Sequence, residues 1–572
     1  MPDWSKWIPA IAWLKCYTRV NLLNDSLAAV IVTIMLIPQS LAYAMLAGLP
    51  AEMGLYASIF PLVAYAVFGS SRALSVGPVA VASLMTSSAV GSVTAAGIAD
   101  YATAAIALAF LGGLMLIVLG LLRFGFVANF LSHPVVSGFI TASGVIIGLG
   151  QLGPLVGISL RGDSLVTLIS TLYQRVHEVH FQTAIVGISC LLFLLLARFC
   201  LPKIMVSLGF SARVVSLITR SAPVLMMVIV IPLSMVEDFS ALGVSVVGSI
   251  PSGLPAFSSP VISWHLLSEL AVPAFLIALI GFVESVSVGK TLGAKKRERI
   301  NANQELVALG AANTASAISG GFPVTGGFSR SAVNFDAGAD TQMASILTAL
   351  GIGLATLYLT PILYFLPKAA LAATIIVAVL SIIDWKILPQ AYRFSSADFT
   401  AVALTICITL LVGVELGVLS GVAVSLGLHL YRTSKPHFAI VGQVGATEHY
   451  RNIDRHTVVT FPEILSIRVD ESLYFANASY LEEVLLDQIS RKPLLSDVIL
   501  MCPAVNSIDL SALEVLGEIN ERLSDQSVKL HLSEVKGPVM DALQRSDFLQ
   551  SLSGEIFLSH HAAVSKLRSR LL

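Results

Sequence analysis

Arg330 and the glycines before it are the residues whose types and spacing most clearly suggest chemistry. The stretch from Gly320 to Gly338 reads GGFPVTGGFSRSAVNFDAG, and it places four glycines and a proline before the arginine, between two apolar segments. Glycines at this spacing interrupt a helix, and a new short helix can begin at Phe328. The free N–H groups at the start of that helix and the guanidinium of Arg330 would both attract negative charge. The stretch therefore predicts a binding site for an anion.

A second interruption of the same kind lies earlier in the chain. The sequence SRALSVGPVAVASLM breaks at Gly77, and Pro78 suits the first turn of a new helix. If internal symmetry brings this stretch against the one at Phe328, two helix N-termini meet at one point, and each favours an anion by about 0.3 to 2 kcal/mol. The alternative is that the Gly–Pro pair only kinks a helix.

Glu284 is the only acidic residue inside its apolar segment, FLIALIGFVESVSVGK. Burial opposes the charge of a carboxylate, whereas a nearby Arg330 favours it, and a group under both influences can take up and release a proton. A proton bound there would let a doubly charged anion move together with protons. The competing interpretation is a permanent ion pair of Glu284 with Arg330 or with a basic loop.

Gln39 and Tyr43 are neutral polar residues in a third apolar stretch, LIPQSLAYAML, next to Pro38. Neutral hydrogen-bond donors suit an oxyanion that must also leave its site. They are therefore candidates for contacts to a bound anion. Hydrogen bonding between helices near a proline kink explains them equally well.

The sequence carries no pattern typical of an enzyme. It has no phosphate-binding loop, no cluster with metal-ligand spacing and no nucleophile with a base at a known motif spacing. The five cysteines are scattered, which argues against a metal site or disulfides. A net charge of −1 gives no reason to expect a nucleic-acid partner. We therefore expect no cofactor and no metal, and we expect transport driven by a gradient rather than catalysis.

The elements that must position these residues are membrane spans. The chain has 572 residues, of which 56% are hydrophobic and 12% charged, and its mean hydropathy is +0.84. This composition predicts a polytopic α-helical protein in contact with membrane lipid. Seven spans are predicted near 27–47, 53–69, 77–91, 102–122, 126–150, 182–201 and 221–237. Seven more are predicted near 270–289, 304–320, 326–337, 342–364, 368–384, 398–413 and 415–431.

The third member of each set is short and interrupted by glycine or proline, which indicates an inverted repeat of seven plus seven spans with its site near the middle of the membrane. Basic residues support this count. Arg198 and the run 290–299 fall in loops assigned to the cytoplasm, whereas the opposite loops hold only Arg161, Arg175 and Lys368. The asymmetry predicts a multi-pass protein of the plasma (inner) membrane with both termini in the cytoplasm.

The composition changes after residue 435. We predict a membrane domain over 1–435, a linker over 436–462 and a soluble α/β domain over 463–572. In the last region, strand-like runs such as ILSIRV and DVILMCP alternate with helical runs such as SYLEEVLLDQIS. This alternation is typical of a compact sheet covered by helices.

Three motifs together resemble the SulP/SLC26 family of anion transporters. They are PAEMGLYASIFPLVAYAVFGSSRALSVGPVAVASLM, NQELVALGAANTASAISGGFPVTGGFSRSAVN and, in the last domain, VNSIDLSALEVL. The resemblance implies a membrane part divided into core and gate domains, a site between the third and tenth spans, elevator-like movement and commonly a homodimer. The terminal domain resembles the STAS domain.

The resemblance also implies which residues form the site. Carried over by motif, they are Ser75, Val76, Gly77 and Pro78 of the third span, Gly327, Phe328, Ser329 and Arg330 of the tenth, Gln39 and Tyr43 of the first, and Glu284 of the eighth.

The motif GGFSRSAVN is similar to that of the sulfate permeases, in which the acid of the eighth span is associated with proton coupling. Sodium-coupled bicarbonate members tend to have Asp in that span and lack the arginine motif. The expected function is sulfate uptake by proton symport. The alternatives are exchange or transport of bicarbonate, chloride or a dicarboxylate, and an uncoupled anion channel.

Ser511 is a candidate regulatory residue. STAS domains that act as anti-sigma antagonists are phosphorylated on a serine that follows an Asp at the start of a helix, and Asp509 and Ser511 occupy those positions here. The alternative is that Ser511 is only a helix N-cap. The resemblance also leaves open a cytosolic protein that binds the STAS domain.

Overall fold

The structure is a computed structural model, and it describes residues 7–129, 132–160, 162, 164–211, 215, 218–219, 221–251, 253–257, 260 and 263–571. The chain forms two compact units, residues 1–425 and residues 426–572. The first unit is helical and the second contains a six-stranded sheet.

The described helices of the first half of the membrane unit begin with a short helix before the first span. They are α1 (Ala10–Lys15), α2 (Arg19–Leu46), α3 (Ala51–Tyr56), α4 (Phe60–Phe68), α5 (Ala80–Ala95), α6 (Tyr101–Leu121), α7 (His133–Gly150), α8 (Leu152–Val156), α9 (Leu165–Arg175), α10 (Phe181–Phe199), α11 (Leu201–Ser207) and α12 (Ala222–Val236). The first seven predicted spans correspond to α2, α3 with α4, α5, α6, α7, α10 and α12.

The second half repeats this arrangement. Its helices are α13 (Trp264–Lys296), α14 (Ala302–Ile318), α15 (Phe328–Asp336), α16 (Met343–Tyr358), α17 (Thr360–Leu363), α18 (Lys368–Val379), α19 (Ile387–Phe394), α20 (Ser396–Leu411) and α21 (Val414–Ser434). The eighth to fourteenth spans correspond to α13, α14, α15, α16 with α17, α18, α20 and α21. All fourteen predicted spans are therefore helical, and the prediction of a polytopic helical fold is confirmed.

Length and apolar character explain why these segments form membrane helices. Seven of the described helical segments are long and apolar enough to cross a membrane, and five shorter helices are also apolar. The fifth span begins at His133 rather than near 126, because Pro134 favours the first turn of a helix. A 3₁₀ segment, Phe124–Asn129, precedes it.

The buried side chains of the membrane unit form two main clusters. One includes residues of the third, fourth, eighth and ninth spans, among them Met85, Leu108 and Phe282. The other joins the sixth, seventh and twelfth spans through residues such as Cys190 and Met226. Each cluster buries helix faces that would otherwise expose backbone and small residues, so each positions its own group of spans.

The second unit contains a sheet with strand order β4–β3–β5–β6–β7–β8. The strands are β3 (Phe438–Gln443), β4 (Tyr450–Asn452), β5 (Ile464–Val469), β6 (Asp497–Met501), β7 (Lys529–Ser533) and β8 (Ile556–Phe557). Strands β1 (Val76–Gly77) and β2 (Thr325–Gly326) belong to the membrane unit. The helices are α22 (Ala478–Ser490), α23 (Leu510–Asp525), α24 (Gly537–Gln544), α25 (Phe548–Ser551) and α26 (His560–Leu571).

Helices cover both faces of this sheet. Val498 and Leu500 of β6 pack into one buried cluster and Ile499 packs into another, as expected because successive strand residues point to opposite faces. Strands β5 to β8 pair in parallel, whereas β3 pairs antiparallel with both β4 and β5. The predicted α/β domain is confirmed.

The linker predicted over 436–462 is wrong where β3 (Phe438–Gln443) and β4 (Tyr450–Asn452) lie, because these residues are strands of the sheet. Residues of β3 and β4 lie in this stretch, and Phe438 pairs with Val469 at the start of β3. Because a central strand exposes N–H and C=O groups along both edges, an additional hairpin beside β5 satisfies groups that would otherwise be unpaired.

Asp509, not Ser511, is the N-cap of α23. Its carboxylate accepts hydrogen bonds from the N–H groups of Ala512 at 2.8 Å and Phe475 at 2.9 Å. The alternative interpretation of Ser511 as an N-cap is therefore wrong. Ser511 is exposed in the first turn of the helix.

Replacing Asp509 with alanine is expected to loosen the start of α23. Loss of an N-cap costs about 1 kcal/mol, so local opening should become roughly fivefold more frequent. Hydrogen–deuterium exchange of the full-length protein measures this opening at residues 510–525. The comparison is Asp509→Asn, which keeps one acceptor oxygen for the N–H of Ala512 and loses the one for Phe475, so its exchange at residues 510–525 should lie between that of the wild type and that of the alanine variant. Equal exchange in the alanine variant would contradict this assignment.

Candidate anion-binding site

The two interrupted spans cross each other in the membrane unit. Strand β1 (Val76–Gly77) pairs antiparallel with β2 (Thr325–Gly326), and the register places Val76 opposite Gly326. Helix α5 begins three residues after β1, and α15 begins two residues after β2. The N-termini of the two half-helices therefore meet at this crossing. The first N–H groups of each helix lack partners within the helix and carry its positive dipole end.

Polar side chains satisfy the non-helical backbone at the crossing. The side chain of Asn313 forms both backbone hydrogen bonds of Val324. Its Nδ2 donates to the carbonyl of Val324 at 2.8 Å, and its Oδ1 accepts from the N–H of Val324 at 2.9 Å. The N–H of Gly326 donates to Ser285 Oγ at 2.9 Å. Such bonds are needed because an unpaired backbone group inside a membrane costs several kcal/mol.

Ser331 joins the two interrupted spans directly. Its hydroxyl accepts from the N–H of Ser75 at 2.9 Å and donates to the carbonyl of Gly327 at 2.7 Å. Asn334, one turn further along α15, donates to Ala73 O at 3.2 Å. These contacts hold the start of α15 against the approach to α5.

Arg330 lies in the first turn of α15 and is 2% exposed. Its Nη2 donates to the carbonyl of Pro78 at 2.5 Å, while Nη1 is buried and, within the described residues, has no hydrogen-bond partner. A buried guanidinium nitrogen without a partner is energetically costly, and an anion would satisfy it. Arg330 therefore has one nitrogen fixed by the protein and one buried beside Gly77 without a partner.

A cavity of about 50 Å³ lies at the meeting point of the two helix ends. Its volume is enough for several water molecules, and hence for a small ion. The side chains and backbone that line it come from the first, third, eighth, tenth and twelfth spans. They are Gln39, Tyr43, Val79, Ala80, Val81, Glu284, Gly327, Phe328, Ser329, Arg330, Ala378, Val379, Ser381 and Ile382.

The structure brings seven of the predicted site residues to this cavity. Gln39 and Tyr43 are buried on α2 and face it, and Glu284 reaches it from α13. In the described part of the chain, no ion pair within 4.0 Å connects Glu284 to Arg330, unlike the permanent salt bridge that was considered as an alternative. Both charged groups border the same cavity.

The four predicted residues of the third span take a different position. Ser75, Val76, Gly77 and Pro78 form the crossing itself and are not among the described residues that line the cavity. The lining comes instead from Val79, Ala80 and Val81 at the start of α5. The lining begins at Val79 rather than at Ser75 because Val76 and Gly77 are extended and paired with β2, and the helix begins only after them, at Ala80.

The end of the twelfth span also reaches the cavity, which the sequence analysis missed. Ala378 and Val379 are the last residues of α18, and Ser381 and Ile382 follow it. Their sequence, AVLSII, is an ordinary apolar run with no motif. Only the packing of α18 against the first and sixth spans places it at the site.

Replacing Gly77 with alanine is expected to weaken anion binding about tenfold while leaving membrane insertion intact. A Cβ at Gly77 would overlap with Nη1 of Arg330, and moving a buried, hydrogen-bonded side chain costs about 1 to 3 kcal/mol. Titration of the purified protein with sulfate measures the effect. Gly91→Ala in α5 is the matched control, because its nearest neighbour would be 3.7 Å away. Unchanged affinity in Gly77→Ala would contradict the proposed role of Arg330.

A larger cavity of about 460 Å³ is lined by α1, the start of α2, the segment 69–72, the end of α13 and the segment 340–342. It is lined by charges of both signs, and Arg72 lies 3.5 Å from Glu298 within it. Mixed, paired charges give no preference for an anion. The smaller cavity at the crossing is therefore the better candidate for the binding site.

The fold and this site define a class of protein. It is a multi-pass membrane transporter built from two repeats, whose interrupted spans meet beside the buried guanidinium of Arg330. The profile of the sulfate permease family matches residues 22–405, and that of the STAS domain matches residues 456–563. The chain belongs to the sulfate permease family. It is an integral membrane transporter of anions and not an enzyme.

The chain is similar to sulfate transporters of a plant and a bacterium. The chain is 35% identical to the chloroplastic sulfate transporter 4.1 of Arabidopsis thaliana, over 98% of this chain and 83% of that protein. It is 31% identical to a probable sulfate transporter of Mycobacterium tuberculosis, over 99% and 98% of the two chains.

Solved structures have the same fold. The murine Solute Carrier 26 family member A9 anion transporter in the inward-facing state matches with a TM-score of 0.89 at 23% identity, over 98% of this chain and 94% of that one. The transmembrane domain of a cyanobacterial bicarbonate transporter matches with a TM-score of 0.59 at 21% identity, over 71% of this chain and 98% of that one.

Proposed function

We propose that this protein takes up sulfate by proton symport and moves the anion by an elevator-type change of access. The observation that carries the proposal is the cavity between two helix N-termini, which is lined by Arg330, a buried residue whose Nη1 has no partner in the described structure. The sulfate-transporter relatives support sulfate as the anion.

In the proposed binding step, the oxyanion takes the place between the starts of α5 and α15. The N–H groups of both helix ends donate to its oxygens, and Arg330 adds a charge-assisted hydrogen bond. Gln39 and Tyr43 supply neutral donors from α2. Phe328 and Ser329, both exposed at the edge of the cavity, lie where an anion would enter or leave.

Glu284 is the proposed proton carrier. Its carboxylate borders the same cavity as Arg330, so a sulfate bound there would lie close to a negative charge. Protonation of Glu284 removes that repulsion, and release of the anion favours release of the proton. Anion and proton binding thus become favourable together, which is the requirement for symport.

The elevator movement is proposed from the composition of the cavity wall. One side consists of the third and tenth spans, which the strand crossing holds together, and the other side contains the end of α18. A displacement of the first group relative to the second would carry the site across the membrane without separating the two helix N-termini.

Uptake into proteoliposomes tests the function. Labelled sulfate, bicarbonate and succinate are offered with an inward proton gradient, an inward sodium gradient or neither. We expect the proton gradient to accelerate sulfate entry and the sodium gradient to have no effect. Sodium-driven entry would overturn the assignment of Glu284.

The same assay separates the alternatives. Uptake that requires a counter-anion inside the vesicles indicates an exchanger. Downhill flux that no gradient can drive to accumulation indicates an uncoupled channel. Bicarbonate or succinate entering faster than sulfate would replace sulfate as the proposed substrate.

The proposal extends to location and assembly. We place the protein in the plasma (inner) membrane with both termini in the cytoplasm, on the basis of the basic residues in alternate loops. We propose a homodimer and a cytosolic protein that binds the STAS domain, with the exposed Ser511 as a phosphorylation site. Cross-linking in native membranes tests the dimer, and mass spectrometry of the purified protein tests the modification.

A further inference from the structure

Arg198 has a more specific position than a positive residue of a cytoplasmic loop requires. It lies in the last turn of α10 and is half-buried. Its Nη1 donates to the carbonyl of Val377 in α18 at 2.5 Å. A side chain that only anchors a span at the membrane surface would point towards water. Arg198 instead binds a neighbouring span.

The carbonyl that Arg198 binds belongs to the last turn of α18. Carbonyl groups at a helix C-terminus have no donor four residues ahead within the helix, and together they carry about half a negative charge. The N–H of Ser381, four residues after Val377, donates to Ala378 O instead. Val377 O is thereby left for the guanidinium of Arg198.

This helix end borders the proposed anion cavity. Ala378, Val379, Ser381 and Ile382 line it, so the partial negative charge of α18 lies opposite the partial positive charges of α5 and α15. A negative helix end repels an anion, and the repulsion grows with the charge of the anion. Without compensation, α18 would disfavour divalent anions most.

We propose that Arg198 neutralises the negative end of α18 and thereby sets the preference of the site for divalent over monovalent anions. The proposal rests on the anion site described above. Arg198 is a positioning residue, because it acts on the anion through the carbonyl end of α18 and does not line the cavity among the described residues.

The alternative is that Arg198 only ties α10 to α18. The two roles differ in a measurable way. Loss of the hydrogen bond between α10 and α18 changes the position of α18 and weakens the binding of all anions by the same factor. A lost charge changes the binding free energy in proportion to the charge of the anion, so the fold-change for a divalent anion is the square of that for a monovalent one.

Anion titration of the purified full-length protein in detergent tests the inference, with the rise in Tm used to obtain the apparent Kd for sulfate and for nitrate. In Arg198→Gln we expect a rise of about threefold for nitrate and about tenfold for sulfate. Arg198→Lys keeps the charge and should bind both anions within about twofold of the wild type.

Lys203→Gln is the matched control. Lys203 lies on α11, close to Arg198 in sequence, but it is exposed, and the charge of an exposed residue is screened by salt. Its replacement should leave both Kd values unchanged.

Equal losses for sulfate and nitrate in Arg198→Gln would overturn the inference and leave the tie as the explanation. Equal impairment of Arg198→Lys and Arg198→Gln would do the same. A wild-type protein whose Tm responds to neither anion would overturn the anion site itself, and this inference with it.

Discussion

Arg330→Ala is expected to weaken sulfate binding by about 100-fold, which corresponds to ~3 kcal/mol. The variant removes the buried Nη1, which has no partner within the described structure. Only the two helix N-termini then remain to stabilise the negative charge of the anion. Titration of the purified protein with sulfate measures the loss. The rate of sulfate uptake at low concentration should fall in parallel.

The control for this variant is Asn334→Ala on the same helix. Asn334 also makes a hydrogen bond across to the third span, at 3.2 Å from Ala73 O, but it does not line the cavity among the described residues. Its loss should affect stability more than affinity. If Arg330→Ala fails to insert or fold while Asn334→Ala behaves normally, Arg330 is primarily a structural link to Pro78 and the proposed site is wrong.

Glu284→Gln is expected to abolish the acceleration of sulfate uptake by an inward proton gradient. Glutamine has nearly the same shape as protonated glutamate but cannot release a proton, so the anion can still bind while coupling is lost. Uptake in proteoliposomes, with and without the gradient, measures the change. Exchange of labelled for unlabelled sulfate should continue.

Glu269→Gln provides the comparison, because Glu269 lies on the same helix α13 and is exposed. It should keep the full response to the gradient. A Glu284→Gln variant that still accumulates sulfate under a proton gradient would exclude Glu284 as the coupling residue, while the proposed anion site would stand.

The sequence was most informative where local physics decides the structure. Each membrane span needs a long apolar run, so the fourteen helices could be predicted from composition along the chain. The two interruptions could be predicted for the same reason, because Gly77 and Gly326 break otherwise apolar segments. Arg330 was conspicuous because a charge inside a span is rarely without a partner or a function.

The parts that the sequence did not predict depend on contacts between distant segments. Residues at the end of α18 reach the cavity only because that helix packs against other spans, and nothing in their types signals it. The sequence predicts a linker where β3 and β4 lie, because a six-residue and a three-residue strand give weak patterns. Their pairing with β5 is a tertiary contact.

The crossing of the two repeats has a consequence for biosynthesis. The hydrogen bond between Arg330 and Pro78 joins residues 252 positions apart, and a ribosome adding about 5 to 20 residues per second needs roughly 10 to 50 s to cover that distance. During this interval the backbone at Val76 and Gly77 is in the membrane without the strand that later pairs with it. The first repeat must therefore wait beside the translocon in an incomplete form, where cellular quality control can recognise any chain whose second repeat fails to arrive.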